Sequence, residues 1–282
     1  MTEALQVAVD GGPYGLATGA DGALWVTLVD AGAIARVTGS AEVTVYPVAP
    51  DSRPAIITAG PDGAMWFTRS GDDHIGRITT EGELSAFELA ADSRPYGITA
   101  GPDGALWFTM TTAGAIGRMS VDGDLRDRYP VGGGPSMIVT GPDNALWFTL
   151  NGAGAIGRLT VSGALSTRET PTPASGPVGI AATHDDAVWF TEILADRLGR
   201  IPMHDAIQEI ELPGKPQAVL ADPHDGVWVS LWGSSQLARV SGDGDIAIVD
   251  LPPGCEPHGL AADADGAIWA ALEAGFVVRL PG

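Results

Sequence analysis

Short apolar runs alternate with turn residues along this chain, and the alternation keeps the same spacing from one end to the other. Over 97–131 the runs are GITA (97–100), ALWFTM (105–110), AIGRMS (115–120) and LRDRYPV (125–131). Each is long enough for a β-strand, and none shows the three-to-four-residue period of an amphipathic helix. The Pro102-Asp103-Gly104 segment between the first two suits a type I turn, and later breaks fall at Gly114 and at Asp122–Gly123. One unit is therefore four short strands joined by tight turns.

The unit recurs. Trp25, Trp66, Trp107, Trp147, Trp189, Trp228 and Trp269 lie at intervals of 41, 41, 40, 42, 39 and 41 residues. The text around them repeats as GPDGAMWFT (60–68), GPDGALWFT (101–109) and GPDNALWFT (141–149). About ten residues after each Trp comes an apolar–small–Arg triplet, with Arg at 36, 77, 118, 158, 200, 239 and 279. A four-stranded unit cannot cover both of its faces, but seven packed in a ring cover one another. The expectation is an all-β, seven-bladed β-propeller forming a single domain over 1–282. Its blades would span approximately 11–50, 51–90, 91–131, 132–172, 173–213, 214–252 and 253–282 plus 1–10. The last repeat ends after its third run, and ALQVAVD (4–10) precedes the first repeat as an outer strand would. The N-terminal strand should complete the seventh blade and leave no open sheet edge there. The repeated Trp is expected to pack blade against blade.

Composition narrows the function. With 45% hydrophobic residues in 282, the chain can build a large core and is not a disordered segment. A net charge of −20, from 35 acids and 15 bases, argues against nucleic acid or an anionic membrane as partner. The single Cys255 excludes an internal disulfide framework, and it is expected to be a small structural thiol. MTEALQVAVDGG has neither a basic nor an apolar leader region, and no apolar run approaches ~18 residues, so a cytoplasmic protein is expected. No phosphate-binding loop, dinucleotide fingerprint, HExxH or GxSxG motif occurs.

In a repeat scaffold the deviations carry function. The residue after the Pro that opens each inner strand is Tyr14, Ala55, Tyr96, Ser136, Val178, Gln217 or His258. The residue before it is Gly12, Arg53, Arg94, Gly134, Gly176, Lys215 or Glu256. Four residues after each Trp come Val29, Ser70, Thr111, Asn151, Ile193, Trp232 and Glu273. Glu256 is the only acid in its set, His258 the only imidazole, and Glu273 the only charge in its own. Blade seven thus supplies Glu256, His258 and Glu273. Its neighbours bring Gln217, Trp232 and, across the closure, Tyr14. Glu256 and His258 should share one side of an extended strand entry. Two carboxylates beside a His suit a hard cation such as Mg²⁺, with His258, titrating near neutrality, passing a proton. Ordinary exposed strand-end residues are the competing explanation. The other imidazoles, His74, His184, His204 and His224, read as solvated loop residues. Glu192 stands where other blades carry an apolar residue or Arg, a position open to the channel or to a structural role.

The WFT…IGR blades, with GPYG (12–15), SGPVGI (175–180) and EPHG (256–259), resemble the virginiamycin B lyase (streptogramin B lyase) family over essentially the whole chain. That resemblance implies a monomeric propeller that linearises a small cyclic peptide lactone by Mg²⁺-dependent elimination at the ester. It implies Glu256 and Glu273 as metal ligands and His258 as the base. Tyr14 and Trp232 fit aromatic contacts to a ring-rich substrate. The family's RPHAI segment is KPQAV here, which puts Gln217 where the family has a substrate-contacting His. Gln217 donates and accepts hydrogen bonds but cannot titrate. The family's channel-facing Glu after WFT is mostly replaced, by Arg69, Met110, Leu150 and Leu231. A lactonase-type hydrolase and a non-catalytic peptide-binding propeller are the alternative functions.

Overall fold

The computed structural model describes residues 5–203 and 205–280. They form seven four-stranded antiparallel sheets, each built from strands consecutive in sequence except one. The third sheet runs Pro95–Ala100, Leu106–Met110, Ala115–Met119, Leu125–Pro130, matching the runs read from the sequence. The seventh runs Pro257–Ala262, Ile268–Leu272, Phe276–Arg279 and is finished by Leu5–Ala8, with Leu5 opposite Arg279 and Ala8 opposite Phe276. The innermost strand of each blade packs on that of the next, and the seventh packs on the first, so the ring is closed.

The repeat Trp lies between blades, as its spacing predicts. Trp25, Trp66, Trp107 and Trp189 are fully buried. What the spacing does not announce is the use of the turn Asp. Asp103 accepts from Trp107 Nε1 at 3.0 Å and from Arg118 Nε at 2.7 Å. The same three-way clamp joins Asp21, Asp62, Asp143 and Asp263 to their own Trp and Arg. Burial opposes ionisation of Asp103, but the Trp107 and Arg118 donors outweigh it and hold the carboxyl below its usual range. The Arg118 guanidinium also lies over the Trp107 ring, 5.7 Å from its centroid.

A second belt fixes the inner strands. Thr27 Oγ1 accepts from Gly15 N at 2.7 Å and donates to Ala55 O of the next blade at 2.7 Å. Thr68, Thr109, Thr149 and Thr191 donate likewise to the carbonyls of Tyr96, Ser136, Val178 and Gln217. Each bonded carbonyl belongs to the residue after an inner-strand Pro. The hydroxyl of WFT therefore sets where the channel-lining side chains begin.

Candidate functional site

All seven residues before the inner-strand Pro have left-handed backbone, from φ 43° at Arg53 to φ 75° at Gly12. Blades one, four and five use Gly there. The other four carry Arg53, Arg94, Lys215 and Glu256, accepting a strain of ~1–2 kcal/mol each for a side chain. This corrects the extended geometry expected for Glu256 and His258. The turn at φ 48° leaves Glu256 exposed on the rim, while His258, two residues on, is buried in the channel wall.

The loop after Ile268–Leu272 brings in the second carboxylate. Glu273 N donates to Glu256 O at 3.2 Å, and the equivalent bond in blade six runs from Trp232 N to Lys215 O at 3.2 Å. Glu273 Oε1 is 2.7 Å from His258 Nε2 but off the direction a hydrogen bond requires, so both ring nitrogens of His258 have no partner. Tyr14 packs on the His258 ring at 4.3 Å between centroids, and Trp232 lies 6.5 Å away. Gly259 permits this contact across the closure, since a Cβ there would sit 2.4 Å from Tyr14 O.

Tyr14, Gln217 and His258 line one cavity of about 90 Å³ together with Tyr96. A second, open cavity of about 400 Å³ shares Tyr14 and Tyr96 with it and is walled also by Arg53, Arg94, Glu256 and Glu273. Trp232, Lys215 and Glu256 border a third, of about 620 Å³. All six residues singled out by sequence thus converge. Tyr96 was not among them. Its hydroxyl is 2.5 Å from that of Tyr14, a pairing that only the ring geometry reveals, although both are Tyr at one repeat position. Arg53 and Arg94 carried the signal of being charged at a Gly-favouring position, but that backbone strain is not visible in a sequence.

Several other expectations change. Arg69 pairs with Asp72, and Met110, Leu150 and Leu231 are buried in the cores between blades. That position therefore faces the neighbouring blade, because it follows the core side of the strand, and it does not line the channel. Glu192 obeys the same rule. It is fully buried with both carboxylate oxygens unpartnered, and burial, reinforced by Glu209, raises it to about 7. His74 opens the strand His74–Ile78 and is half-buried beside Asp72 O. His184 and His224 are exposed in turns, and His204 lies outside the described residues. Cys255 is buried in an apolar cluster, which pushes its thiol up.

Electrostatics assign states. Burial pushes His258 down to about 4, with Glu256 opposing, so at neutral pH it is an uncharged acceptor rather than a group titrating near neutrality. Burial raises Tyr14, which therefore stays a phenol, and Glu273 adds to the effect. Glu256 is raised by its contact with Glu273. The Glu256 and Glu273 carboxylates are hard oxygen donors, the ligand type that Mg²⁺ takes, so these two residues fit such an ion. Among the described residues no third His, Cys, Asp or Glu completes a cluster, so water or ligand oxygens would fill the shell.

Residues 1–280 match the model of the virginiamycin B lyase family. A virginiamycin B lyase of Mycolicibacterium smegmatis is 71% identical over 281 residues, covering 100% of both chains. A solved streptogramin B lyase superposes with a TM-score of 0.94 at 33% identity, over 99% of this chain and 97% of that one. A catalytically inactive histidine-to-alanine virginiamycin B lyase from Staphylococcus aureus, solved with quinupristin, gives 0.93 at 36% identity over 98% of each.

Proposed function

The chain belongs to the virginiamycin B lyase family, and we propose that it linearises streptogramin B-type cyclic depsipeptides by elimination at the ester. The observation that carries this reading is the buried His258, its ring nitrogens free of hydrogen bonds and Nε2 2.7 Å from Glu273 of the Glu256–Glu273 pair. The neutral imidazole is the form that can accept a proton.

His258 would remove the α-proton of the residue whose side-chain oxygen carries the ester. The electron pair forms the Cα–Cβ double bond, the Cβ–O bond breaks, and the acyl group leaves as a carboxylate. No water enters, so the product is an isomer of the substrate. Glu256 and Glu273 would hold Mg²⁺, which when bound polarises the ester carbonyl and offsets the negative charge that develops there. Tyr14 and Trp232 flank His258 with aromatic surface for a ring-rich substrate. Gln217, in the same cavity, supplies amide hydrogen bonds without exchanging a proton.

The test is mass spectrometry of quinupristin incubated with the protein and Mg²⁺. A linear product of unchanged mass supports elimination. A product heavier by one water would replace the reading with hydrolysis, and unaltered substrate would leave a binding propeller.

A further inference from the structure

The carboxylate released by elimination needs a place to go, and the structure holds two unused cations beside it. Among the described residues, every arginine except Arg53 and Arg94 is ion-paired with a carboxylate or donates to a backbone carbonyl. Arg53 and Arg94 have neither, in a chain with 35 acids. Both are exposed, both occupy left-handed backbone at φ 43° and φ 47°, and both wall the cavity that holds Glu256 and Glu273. The Arg53 stem runs past Gly71, where a Cβ would stand 3.1 Å from its Cγ. Neither guanidinium lies within ion-pair distance of Glu256 or Glu273, so neutralising those two acids does not account for them.

We infer that Arg53 and Arg94 form the receiving site for the product carboxylate, in the cavity that the carboxylate pair also walls. This rests on the elimination reading above. Guanidinium binds carboxylate through parallel N–H donors, a geometry that an ester lacking the second anionic oxygen cannot match. The site therefore separates the linear acid from its cyclic precursor, an isomer without that charge. It draws the acyl end away from His258 after the bond breaks and opposes re-closure.

The test compares binding of two ligands to the intact protein by calorimetry. One is cyclic quinupristin, measured without added metal. The other is its linear isomer, prepared beforehand by base-catalysed elimination so that its supply does not depend on this protein's activity. The expected result for the R53Q/R94Q double variant is a loss of affinity for the linear acid at least fivefold greater than the loss for the cyclic ester. A differential below fivefold, including equal losses of both, overturns the inference. The R53K/R94K variant keeps the charge and removes the fork, and should fall between wild type and R53Q/R94Q in that ratio. A thermal melt matching wild type within a few degrees establishes that the Gln variant is folded, as expected for two exposed side chains. If wild type leaves quinupristin unconverted, the elimination reading fails by itself. The binding ratio still reports on Arg53 and Arg94.

Discussion

Glu192→Gln should change how the stability of this protein depends on pH while leaving the shape of the site intact. Glu192 is fully buried, neither oxygen receives a well-formed hydrogen bond, and it lies outside the cavities lined by His258, Glu256 and Glu273. Burial is the main cause of its rise from 4.5 to about 7. The Ser175 hydroxyl opposes that rise, Glu209 adds to it, and Arg197 opposes it. The folded state therefore holds this proton more tightly than the unfolded chain does. Stability from this group is complete below the unfolded value near 4.5 and is lost as pH climbs through about 7. At ~1.4 kcal/mol per pH unit the whole interval is worth roughly 3 kcal/mol. Between pH 5 and pH 8.5 about 2.5 kcal/mol of it is exposed, because the unfolded carboxyl is already partly ionised at pH 5. Gln keeps the volume and cannot ionise, so this slope disappears in the variant. Urea unfolding of both proteins at the two pH values measures the difference. The variant should gain on wild type by about 2–3 kcal/mol on going from pH 5 to pH 8.5. Two proteins whose stabilities run parallel across that range would show that Glu192 is ionised or hydrated in the fold, and the burial argument would fail.

Replacing His258 by Ala should lower turnover of quinupristin by ~10²–10⁴-fold while the melting temperature stays near wild type, as steady-state kinetics with a thermal scan would show. Gly259→Ala places a Cβ against Tyr14 O at the closure, and should destabilise the ring by ~1–3 kcal/mol while displacing His258, read by denaturant unfolding and by lost activity. Tyr96→Phe removes the hydroxyl that holds Tyr14. A KM increase larger than any fall in kcat is expected, and an unchanged KM would deny Tyr14 a substrate contact. Asp103→Ala cuts a clamp on both Trp107 and Arg118 and should cost ~1–3 kcal/mol in urea unfolding with activity retained.

The ring, its seven blades and its closing strand were legible because each follows from a count. Trp spacing gave the blades, and one surplus strand at the start met one missing strand at the end. The site was half legible for a related reason. Glu256, His258, Glu273 and Trp232 break a repeat, and a break in a repeat is visible without coordinates. Tyr96 breaks nothing, since Tyr14 occupies the same position, and its role comes from facing Tyr14 across the channel. The position after WFT was misplaced because strand alternation says only that a side chain points to one face. Which face is the channel and which the next blade depends on how the blades stack. The neutral state of His258 was out of reach for the same reason, because it is set by residues distant in sequence that bury the ring.

The left-handed position before each inner-strand Pro links the scaffold to the chemistry. Gly is the unstrained choice there, and the chain uses it in three blades. The four exceptions are all charged, and all stand at the mouth of the channel. A fold that needed only to close would have no reason to prefer Arg, Arg, Lys and Glu over Gly at those points. Strain borne selectively by charged side chains is what a site accumulates when backbone geometry is fixed by the repeat and function must be added through side chains alone. The same geometry aims these groups, because a left-handed turn at the strand entry lifts its side chain onto the rim while the residue two positions later enters the wall. Glu256 on the rim and His258 in the wall are thus placed by one turn. A substrate that settles over the channel meets the carboxylate and the base together.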